Sequence, residues 1–262
     1  MTTAPESKVA SVLIRFRETK IGASAGSVDC GDWEVADGEA WFVAGGVGAG
    51  KTSFLRSIAG LEQPLAGRIE RFGEDWANFS EGETMKHRRR IGVVLCREAG
   101  LFHRLTVREN VRLPLHYHGG RSQSEIDERT KLLLAALDLE PHAQVSSMRV
   151  GPAVVRRTLL ARSLALGPEV LLLDDPCAGL DEPDRRRLIQ FIARLHAGHE
   201  LNEGRPLALI MTGVAPRDWR EFPALKWASL RGGALSVDQT WEQLVASAPE
   251  LFHDPDLEAA AD

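Results

Sequence analysis

The residues with the clearest capacity for chemistry form a glycine-rich run near position 50. The run matches G-x-x-x-x-G-K-[ST] at every fixed position. Glycines let a backbone turn with its amides pointing inward, and such amides together with a helix N-terminus bind phosphate oxygens. The lysine and the hydroxyl of this pattern reach the β- and γ-phosphates and Mg²⁺, respectively. The predicted phosphate-binding residues are Gly45, Gly46, Val47, Gly48, Ala49, Gly50, Lys51, Thr52 and Ser53.

Two adjacent carboxylates follow a strongly apolar run later in the chain. Asp174 and Asp175 come after Val170–Leu173, and α/β proteins gather their ligands at the carboxyl ends of such strands. Asp174 is therefore expected to hold Mg²⁺ together with Thr52. Asp175 is expected to orient or deprotonate an attacking water, which makes it and Lys51 the predicted catalytic residues. The alternative is that both acids simply end a strand.

The elements that must position these residues are an alternation of strands and helices. An apolar run over Glu39–Ala44 predicts a buried strand before the loop, and Lys51–Ala59 predicts a helix that Gly60 ends. The alternation implies an α/β fold with a parallel sheet and a helical insertion near residues 97–160. Further strands are predicted at Val9–Phe16, Ile91–Leu95, Val170–Leu173 and Leu207–Met211, and helices after a Ser122–Glu125 capping box, at Val154–Leu166 and at Asp184–His196.

Composition excludes several classes of protein. The 262 residues are 44% hydrophobic and 26% charged, which excludes wholesale disorder. A net charge of -5 argues against a nucleic-acid partner. The three cysteines, Cys30, Cys96 and Cys177, form neither a disulfide framework nor a metal pattern. No signal peptide or apolar run of about 18 residues is visible, so we expect a cytoplasmic protein, peripheral on the membrane if it serves one.

Longer segments extend these motifs into a resemblance that covers nearly the whole chain. LEQPLAGRIE (61–70), GLFHRLTVRENVRLPL (100–115) and LARSLALGPEVLLLDDPCAGLD (160–181) resemble the nucleotide-binding subunits of ABC transporters. ENVRLPLHYHGGRSQSEIDER (109–129) is most similar to the ATPases of Mce-linked phospholipid, or organic-solvent-tolerance, transporters. The resemblance implies ATP and Mg²⁺ as cofactors, a permease of the inner membrane as partner, and a dimer that sandwiches two ATP molecules between its subunits. Whether that dimer is a homodimer or a heterodimer stays open.

The resemblance also implies a domain organisation. It is a single P-loop NTPase domain with a mostly parallel sheet, an N-terminal antiparallel β part and an inserted α-helical subdomain. The catalytic core would span 1–96 and 161–245, and the helical subdomain 97–160. The polar end of the chain, residues 246–262, is expected to fray.

Departures from the family pattern fall on the hydrolytic machinery. Cys96 replaces a glutamine that senses Mg²⁺ and the attacking water, and a thiol is a poor ligand for a hard cation. The signature sequence falls on Val150–Val154 without its serine and second glycine, and Pro152 has no amide hydrogen. Asp175 stands for a glutamate and Gly213 for the switch histidine. Binding is therefore predicted to survive and hydrolysis to be slowed at least about a hundredfold.

Two further family positions carry expectations. No aromatic residue stands at the adenine-stacking position around Lys20–Ile21, and Phe16, the nearest, is expected in the core. The segment Arg97–Leu115 corresponds to the part that faces the permease. Three apolar residues in this loop-like stretch are either a docking surface or core: Leu101, Phe102 and Leu105.

Three functions stay open at this point. The chain could be a working transport ATPase subunit, a degenerate ATP-binding subunit that pairs with an active one, or a soluble ABC protein outside transport. The single P-loop and the lack of a second cassette count against the third. The sequence favours an ATP-binding transport subunit with impaired hydrolysis, for phospholipid or another lipid.

Overall fold

The computed structural model describes residues 11–24, 26–95, 100–118, 120–238 and 240–252. Within these ranges the strands are β1 (Val12–Ala23), β2 (Gly26–Ala36), β3 (Ala40–Ala44), β4 (Ala66–Arg71), β5 (Glu74–Asp75), β6 (Ile91–Leu95), β7 (Val170–Asp174), β8 (Ala208–Gly213), β9 (Leu225–Arg231) and β10 (Ala234–Val237). The α-helices are α1 (Lys51–Ile58), α2 (Glu81–Arg88), α3 (Val107–Tyr117), α4 (Gln123–Ala136), α5 (Pro152–Leu164), α6 (Glu182–Gly198) and α7 (Trp241–Ser247).

One sheet contains all of these strands, in the order β5-β4-β1-β2-β10-β9-β3-β8-β7-β6. The run from β9 through β3, β8 and β7 to β6 is parallel, and β1, β2, β4 and β5 pair antiparallel. Strand β10 joins the two parts, since it is antiparallel to β9 and parallel to β2. The predicted α/β class, with a parallel core and an N-terminal antiparallel part, is confirmed.

The central strand β3 is buried along its full length because both faces of the sheet are covered. Side chains alternate between the faces of a strand. Phe42 therefore packs in the core formed with α3 to α6, whereas Trp41 and Val43 pack in a second core with Phe54 and Ile58 of α1. This double packing fixes the end of β3, from which the glycine-rich loop begins.

Several predicted elements are confirmed, and their boundaries have identifiable causes. Strand Ile91–Leu95 is found as predicted. The capping box before α4 is present, because the Ser122 hydroxyl accepts from the Glu125 amide at 3.3 Å and the Glu125 carboxylate accepts from the Ser122 amide at 2.6 Å. Helix α6 begins two residues before the predicted Asp184, since the Asp181 carboxylate caps it by accepting from the Asp184 amide at 3.0 Å.

The loop-like character assigned to the stretch before residue 115 is wrong over its second half. Helix α3 begins at Val107 after a second capping box. There the Glu109 carboxylate accepts from the Thr106 amide at 2.7 Å, and the Thr106 hydroxyl accepts from the Glu109 amide at 3.2 Å. Pro114 lies within this helix. The S/T-x-x-E signature was thus present in the sequence and outweighs the proline.

Two other expectations concern the ends of the described region. Val9, the predicted start of the first strand, lies outside the described residues, and β1 runs seven residues beyond Phe16, to Ala23. Residues 249–252 form a 3-10 turn, and the expected fraying of 246–262 stays a prediction. The Phe252 ring there packs edge-on against Trp241 at 5.1 Å between centroids. Residues 253–262 lie outside the described part.

A search of the described helices for one long and apolar enough to cross a membrane finds none.

Candidate functional site

The glycine-rich loop lies between the buried end of β3 and the first turn of α1. Gly50 is the N-cap of α1 with a φ of 94°, and Gly48 has a φ of 82°. Both values lie in the left-handed region that L side chains rarely adopt, so the turn requires glycine at these positions. At Gly50 a Cβ would also lie 2.9 Å from the Val28 side chain and 3.2 Å from that of Ala23.

Lys51 bridges the opening of this loop. Its Nζ donates to the carbonyl oxygen of Gly45 at 2.6 Å and to that of Gly46 at 2.8 Å. Lys51 is the first residue of α1, and its side chain reaches back over the loop to Gly45 and Gly46 at the loop's start. A cation in this place favours binding of phosphate oxygens.

The start of α1 fits an anion. No side chain caps this helix terminus, and no acidic residue occurs in its first turn. The first amides of a helix lack intrahelical acceptors, and the helix dipole places partial positive charge there. The Lys51 ammonium adds a full positive charge. A phosphate group therefore fits the loop in charge and in hydrogen-bonding character.

Asp174 joins three elements at the carboxyl edge of the sheet. It ends β7 and is 4% exposed. Its Oδ2 accepts from the Thr52 hydroxyl of α1 at 2.7 Å, and its Oδ1 accepts from the Thr212 hydroxyl of β8 at 2.8 Å. Thr52 and Asp174, which are 122 residues apart in sequence, are thus in direct contact.

The same contacts test whether Mg²⁺ fits here. Among the described residues no lysine, arginine or histidine forms an ion pair with Asp174, and a buried carboxylate without a cation is costly. Carboxylate and hydroxyl oxygens are the hard ligands that Mg²⁺ prefers. No cluster of three or more His, Cys, Asp or Glu residues suited to a metal ion occurs in the described ranges. Thr52 and Asp174 therefore fit an ion that receives its other ligands from water and from nucleotide phosphates.

Asp175 and Gly213 lie next to each other beyond the ends of β7 and β8. Asp175 has a φ of 44°, and its amide donates to the Thr212 carbonyl at 2.8 Å. A Cβ on Gly213 would lie 3.6 Å from the Asp175 carboxylate, but it would also lie 2.9 Å from the ring tip of Phe42. Asp175 and Gly213, the two positions at which the sequence resemblance predicts departures, thus lie at one place, and the Phe42 ring occupies the space that a side chain at 213 needs.

The segment Val150–Val154 lies elsewhere in the molecule. Gly151 is the N-cap of α5 and Pro152 is its first residue, a position at which proline is well accommodated because no intrahelical donor is needed there. Helix α5 packs against α3, α4 and β6, whereas α1 packs against β1, β4, β7 and β8. Within one chain, Val150–Val154 at the start of α5 and the phosphate-binding loop at the start of α1 therefore pack against different sets of elements.

Two of the sequence expectations concern positions away from the loop. Cys96 lies outside the described residues, so its role stays a prediction. Phe16 is fully buried, with its ring 5.4 Å from that of Trp33 and 5.5 Å from that of Phe54 between centroids. Its assignment to the core is confirmed.

Thr212 is the residue that the sequence reasoning missed. It is fully buried and provides the second hydroxyl donor to Asp174. The available signal was a hydroxyl at the carboxyl end of Leu207–Met211, the strand predicted to neighbour Val170–Leu173. Such a residue faces the same edge of the sheet as Asp174.

Comparison with known proteins agrees with this geometry. A family model described as ABC transporter matches residues 29–178. The chain is 33% identical to the methionine import ATP-binding protein MetN 1 of Pseudomonas putida over 221 residues, which is 84% of this chain and 62% of that protein. It is 36% identical to the sulfate/thiosulfate import ATP-binding protein CysA of Caulobacter vibrioides over 168 residues, 63% of this chain and 48% of that protein. The chain thus spans about half to three fifths of the length of these curated relatives.

Solved structures share the fold. The ATP-binding cassette MJ0796, in a dimeric post-hydrolysis state bound to ADP and Pi, aligns with a TM-score of 0.72 at 22% sequence identity. The alignment covers 87% of this chain and 100% of that one. ABC ATPase domains bind ATP with Mg²⁺, in agreement with the two cofactors expected from the sequence.

Proposed function

This chain belongs to the ABC transporter family, and from that premise we propose that it is the ATP-binding subunit of a transporter in which hydrolysis is impaired. ATP with Mg²⁺ would bind at Gly45–Ser53, and binding would be coupled to a membrane permease. The observation that carries the proposal is the contact of Thr52 with Asp174 beside the loop that Lys51 bridges.

The role of each residue follows from its position. Lys51 would exchange its two carbonyl acceptors for the β- and γ-phosphate oxygens. Thr52 and Asp174 would hold Mg²⁺, with Thr212 fixing the orientation of the Asp174 carboxylate. When bound, Mg²⁺ neutralises charge on the β- and γ-phosphates. Asp175 would accept a hydrogen bond from the attacking water.

Slow hydrolysis is proposed because the water-orienting groups are incomplete. Asp175 has a shorter side chain than the family's glutamate, and a misplacement of about 1 Å can cost roughly a hundredfold in rate. Gly213 has no side chain to contact the γ-phosphate, and loss of one such group costs about 10²–10³-fold. Phosphoryl transfer depends almost wholly on positioning and charge stabilisation, so this site should bind ATP far better than it hydrolyses it.

The proposed permease-facing surface is an open groove with a volume of about 790 Å³ beside α3. Of the three apolar candidates, Leu101 is 5% exposed and packs in the core, which favours the core alternative for this residue. Phe102 is 55% exposed, and Tyr117 is 70% exposed on the same groove. Buried Asn110 presents Phe102, since it accepts from the Phe102 amide at 2.8 Å and donates to the Phe102 carbonyl at 3.2 Å. Phe102 and Tyr117 would contact an apolar segment of the permease.

The transported substrate stays open within this proposal. The similarity to phospholipid-transport ATPases over 109–129 favours a lipid. The named relatives are methionine and sulfate/thiosulfate import proteins, and membrane and periplasmic partners choose the substrate. A fully active transport ATPase, as a homodimer, is the alternative function.

The test is nucleotide binding by the full-length protein and its Lys51→Ala variant. We expect the wild type to bind a fluorescent ATP analogue with Mg²⁺ and the variant to bind it at least about tenfold more weakly, since the ammonium contacts the phosphates directly. Arg68→Ala, on an exposed part of β4, is the matched control and should bind as the wild type does. Equal binding by wild type and Lys51→Ala, or none by either, would contradict the proposed site.

Turnover is measured on the same samples. We expect ATP hydrolysis far below the roughly 10 s⁻¹ typical of enzymes. Rapid ATP hydrolysis by the wild type that Asp174→Asn abolishes would refute the proposal that hydrolysis is impaired, and would favour a fully active transport ATPase.

A further inference from the structure

The carboxyl end of α1 is held by two arginines from different elements. Arg71, the last residue of β4, donates from Nε to the Ile58 carbonyl at 2.7 Å and from one terminal nitrogen to the Ser57 carbonyl. Its other terminal nitrogen donates to the carbonyl of Ile69 at 2.9 Å. Arg88, at the end of α2, donates to the Gly60 carbonyl. The final carbonyls of α1, which have no intrahelical donor, thus receive donors from Arg71, and the Gly60 carbonyl just beyond the helix receives one from Arg88.

Arg71 is a buried cation whose direct hydrogen-bond partners are backbone carbonyls. It is 3% exposed, and no described Asp or Glu forms an ion pair with it. The ring of Trp76 lies 4.9 Å from its guanidinium carbon. Burial is the main reason that the pKa of Arg71 falls to about 10; the nearby Asp75 carboxylate opposes this shift, and Arg88 adds to it. A charge in such surroundings is tolerated only where fixed dipoles surround it, and here these are helix and strand carbonyls.

The Arg71 guanidinium lies between backbone carbonyls and the ring of Trp76. Gly60, just after α1, has a φ of 67°, and a Cβ there would lie 3.0 Å from the Trp76 ring. The Trp76 ring itself stacks with that of Phe79 at 6.3 Å between centroids. The guanidinium is therefore enclosed between this aromatic cover and the end of α1. The three N–H donors of a lysine ammonium are on one nitrogen, whereas those of a guanidinium are spread over three nitrogens in a plane. A lysine at position 71 therefore cannot reach the three separated carbonyls as Arg71 does.

Because α1 is short, its first and last turns move together as one rigid element. Its eight residues span about 12 Å. Lys51 and Thr52 form its first turn, and the carbonyls of Ser57 and Ile58 belong to its last. A shift of the last turn therefore moves the first. Small displacements of this kind matter at a site whose function depends on positioning.

We propose that Arg71 is a positioning residue that fixes the direction of α1 from the antiparallel part of the sheet and thereby sets the geometry of the phosphate-binding loop. The inference rests on the proposed function for its effect on nucleotide binding. Strand β4 would thus contribute to the phosphate-binding site, although it follows the loop in sequence and belongs to the antiparallel part of the sheet.

The experiment compares three variants of the full-length protein with the wild type. Arg71→Met keeps the length and apolar contact of the side chain but removes the donors, and Arg71→Lys keeps the charge. Arg68→Met is the matched control, because Arg68 lies on the same strand with its side chain 57% exposed. The dissociation constant of a fluorescent ATP analogue with Mg²⁺ is measured at low temperature, where circular dichroism verifies folding. Hydrogen exchange is followed without nucleotide for the Phe54 amide, which donates to the Gly50 carbonyl at 2.8 Å, and for the amides of the central strand β3, which report global opening.

We expect the dissociation constant to rise about tenfold in Arg71→Met and by less in Arg71→Lys, and to stay within twofold in Arg68→Met. The Phe54 amide should exchange at least fivefold faster in Arg71→Met than in Arg68→Met, beyond any change shared by the β3 amides. A cap that merely stabilised the fold would leave the affinity of the folded protein unchanged and would alter exchange at Phe54 only as much as in β3, and that result would overturn the proposal.

Two further outcomes are decisive. If Arg71→Met does not fold, Arg71→Lys and Arg88→Met are judged by the same criteria, with a weakening in the same direction expected for both. If the wild type binds no nucleotide, the proposed function fails. Exchange of the Phe54 amide relative to the β3 amides then decides the positioning role by itself, and an unchanged ratio in Arg71→Met refutes it.

Discussion

Installing a histidine at position 213 should succeed only when Phe42 is reduced in size. A Cβ at 213 would lie 2.9 Å from the Phe42 ring tip, whereas ordinary van der Waals contact begins near 3.4 Å, so the ring must move by about 0.5 Å or more. The ring is fully buried, with its centroid 5.7 Å from that of Trp219 and 5.6 Å from that of Trp227. Movement of the ring must therefore displace neighbouring side chains.

The magnitudes follow from core packing. Gly213→His alone should lower the free energy of unfolding by about 1–3 kcal/mol, the usual cost of overpacking. Phe42→Leu alone should lower the free energy of unfolding by about 1–2 kcal/mol, a cost between that of removing one buried methyl group and that of a Phe→Ala substitution. The double variant should be more stable than the sum predicts, with a coupling free energy of about 1 kcal/mol or more, because the leucine vacates the space that the histidine needs.

Urea unfolding of the four proteins measures this coupling. Additive effects within about 0.3 kcal/mol, or a Gly213→His variant as stable as the wild type, would refute the reasoning. ATP turnover extends the test to function. Adding Asp175→Glu should raise turnover most when Phe42→Leu and Gly213→His are both present, since the restored groups act on the same γ-phosphate and water. Phe42→Leu with Asp175→Glu, without the histidine, is the control.

Two other predictions address the surface and the core. Phe102→Glu should abolish co-purification with the proposed permease partner and leave ATP-analogue binding unchanged. Leu132→Glu, at a site on α4 outside the groove and 45% exposed, is its control, and retained co-purification of Phe102→Glu would remove the interface claim. Burial raises the pKa of the Cys30 thiol from 9.0 to about 12, so its contribution to stability is complete below pH 9 and is lost as pH rises toward 12, because the unfolded thiol ionises first. Between pH 9 and 11 the free energy of unfolding should fall about 1.4 kcal/mol per pH unit more steeply in the wild type than in Cys30→Ala, and parallel pH profiles would contradict this.

The sequence by itself determined the parts of the site that are local. Gly48 and Gly50 have left-handed φ values that glycine provides, and an apolar strand before them with a helix after them follows from a few adjacent residues. The same holds for β6, for Asp174 at the end of β7, and for the capping boxes, whose partners are three residues apart. Local backbone preferences and short-range hydrogen bonds suffice for such features.

Tertiary structure alone decided which distant residues meet. Thr212 reaches Asp174 because β7 and β8 are parallel neighbours, and the strand order is not encoded in either segment. Phe42 blocks the space at Gly213 because β3 and β8 pair with Phe42 opposite Met211, a relation invisible in a sequence where they lie far apart. Arg71 would be expected to face solvent as a charged strand residue, yet it is buried against the end of α1. Such contacts depend on the packing of whole elements, whose energies are summed over many residues and cannot be assigned from any one of them.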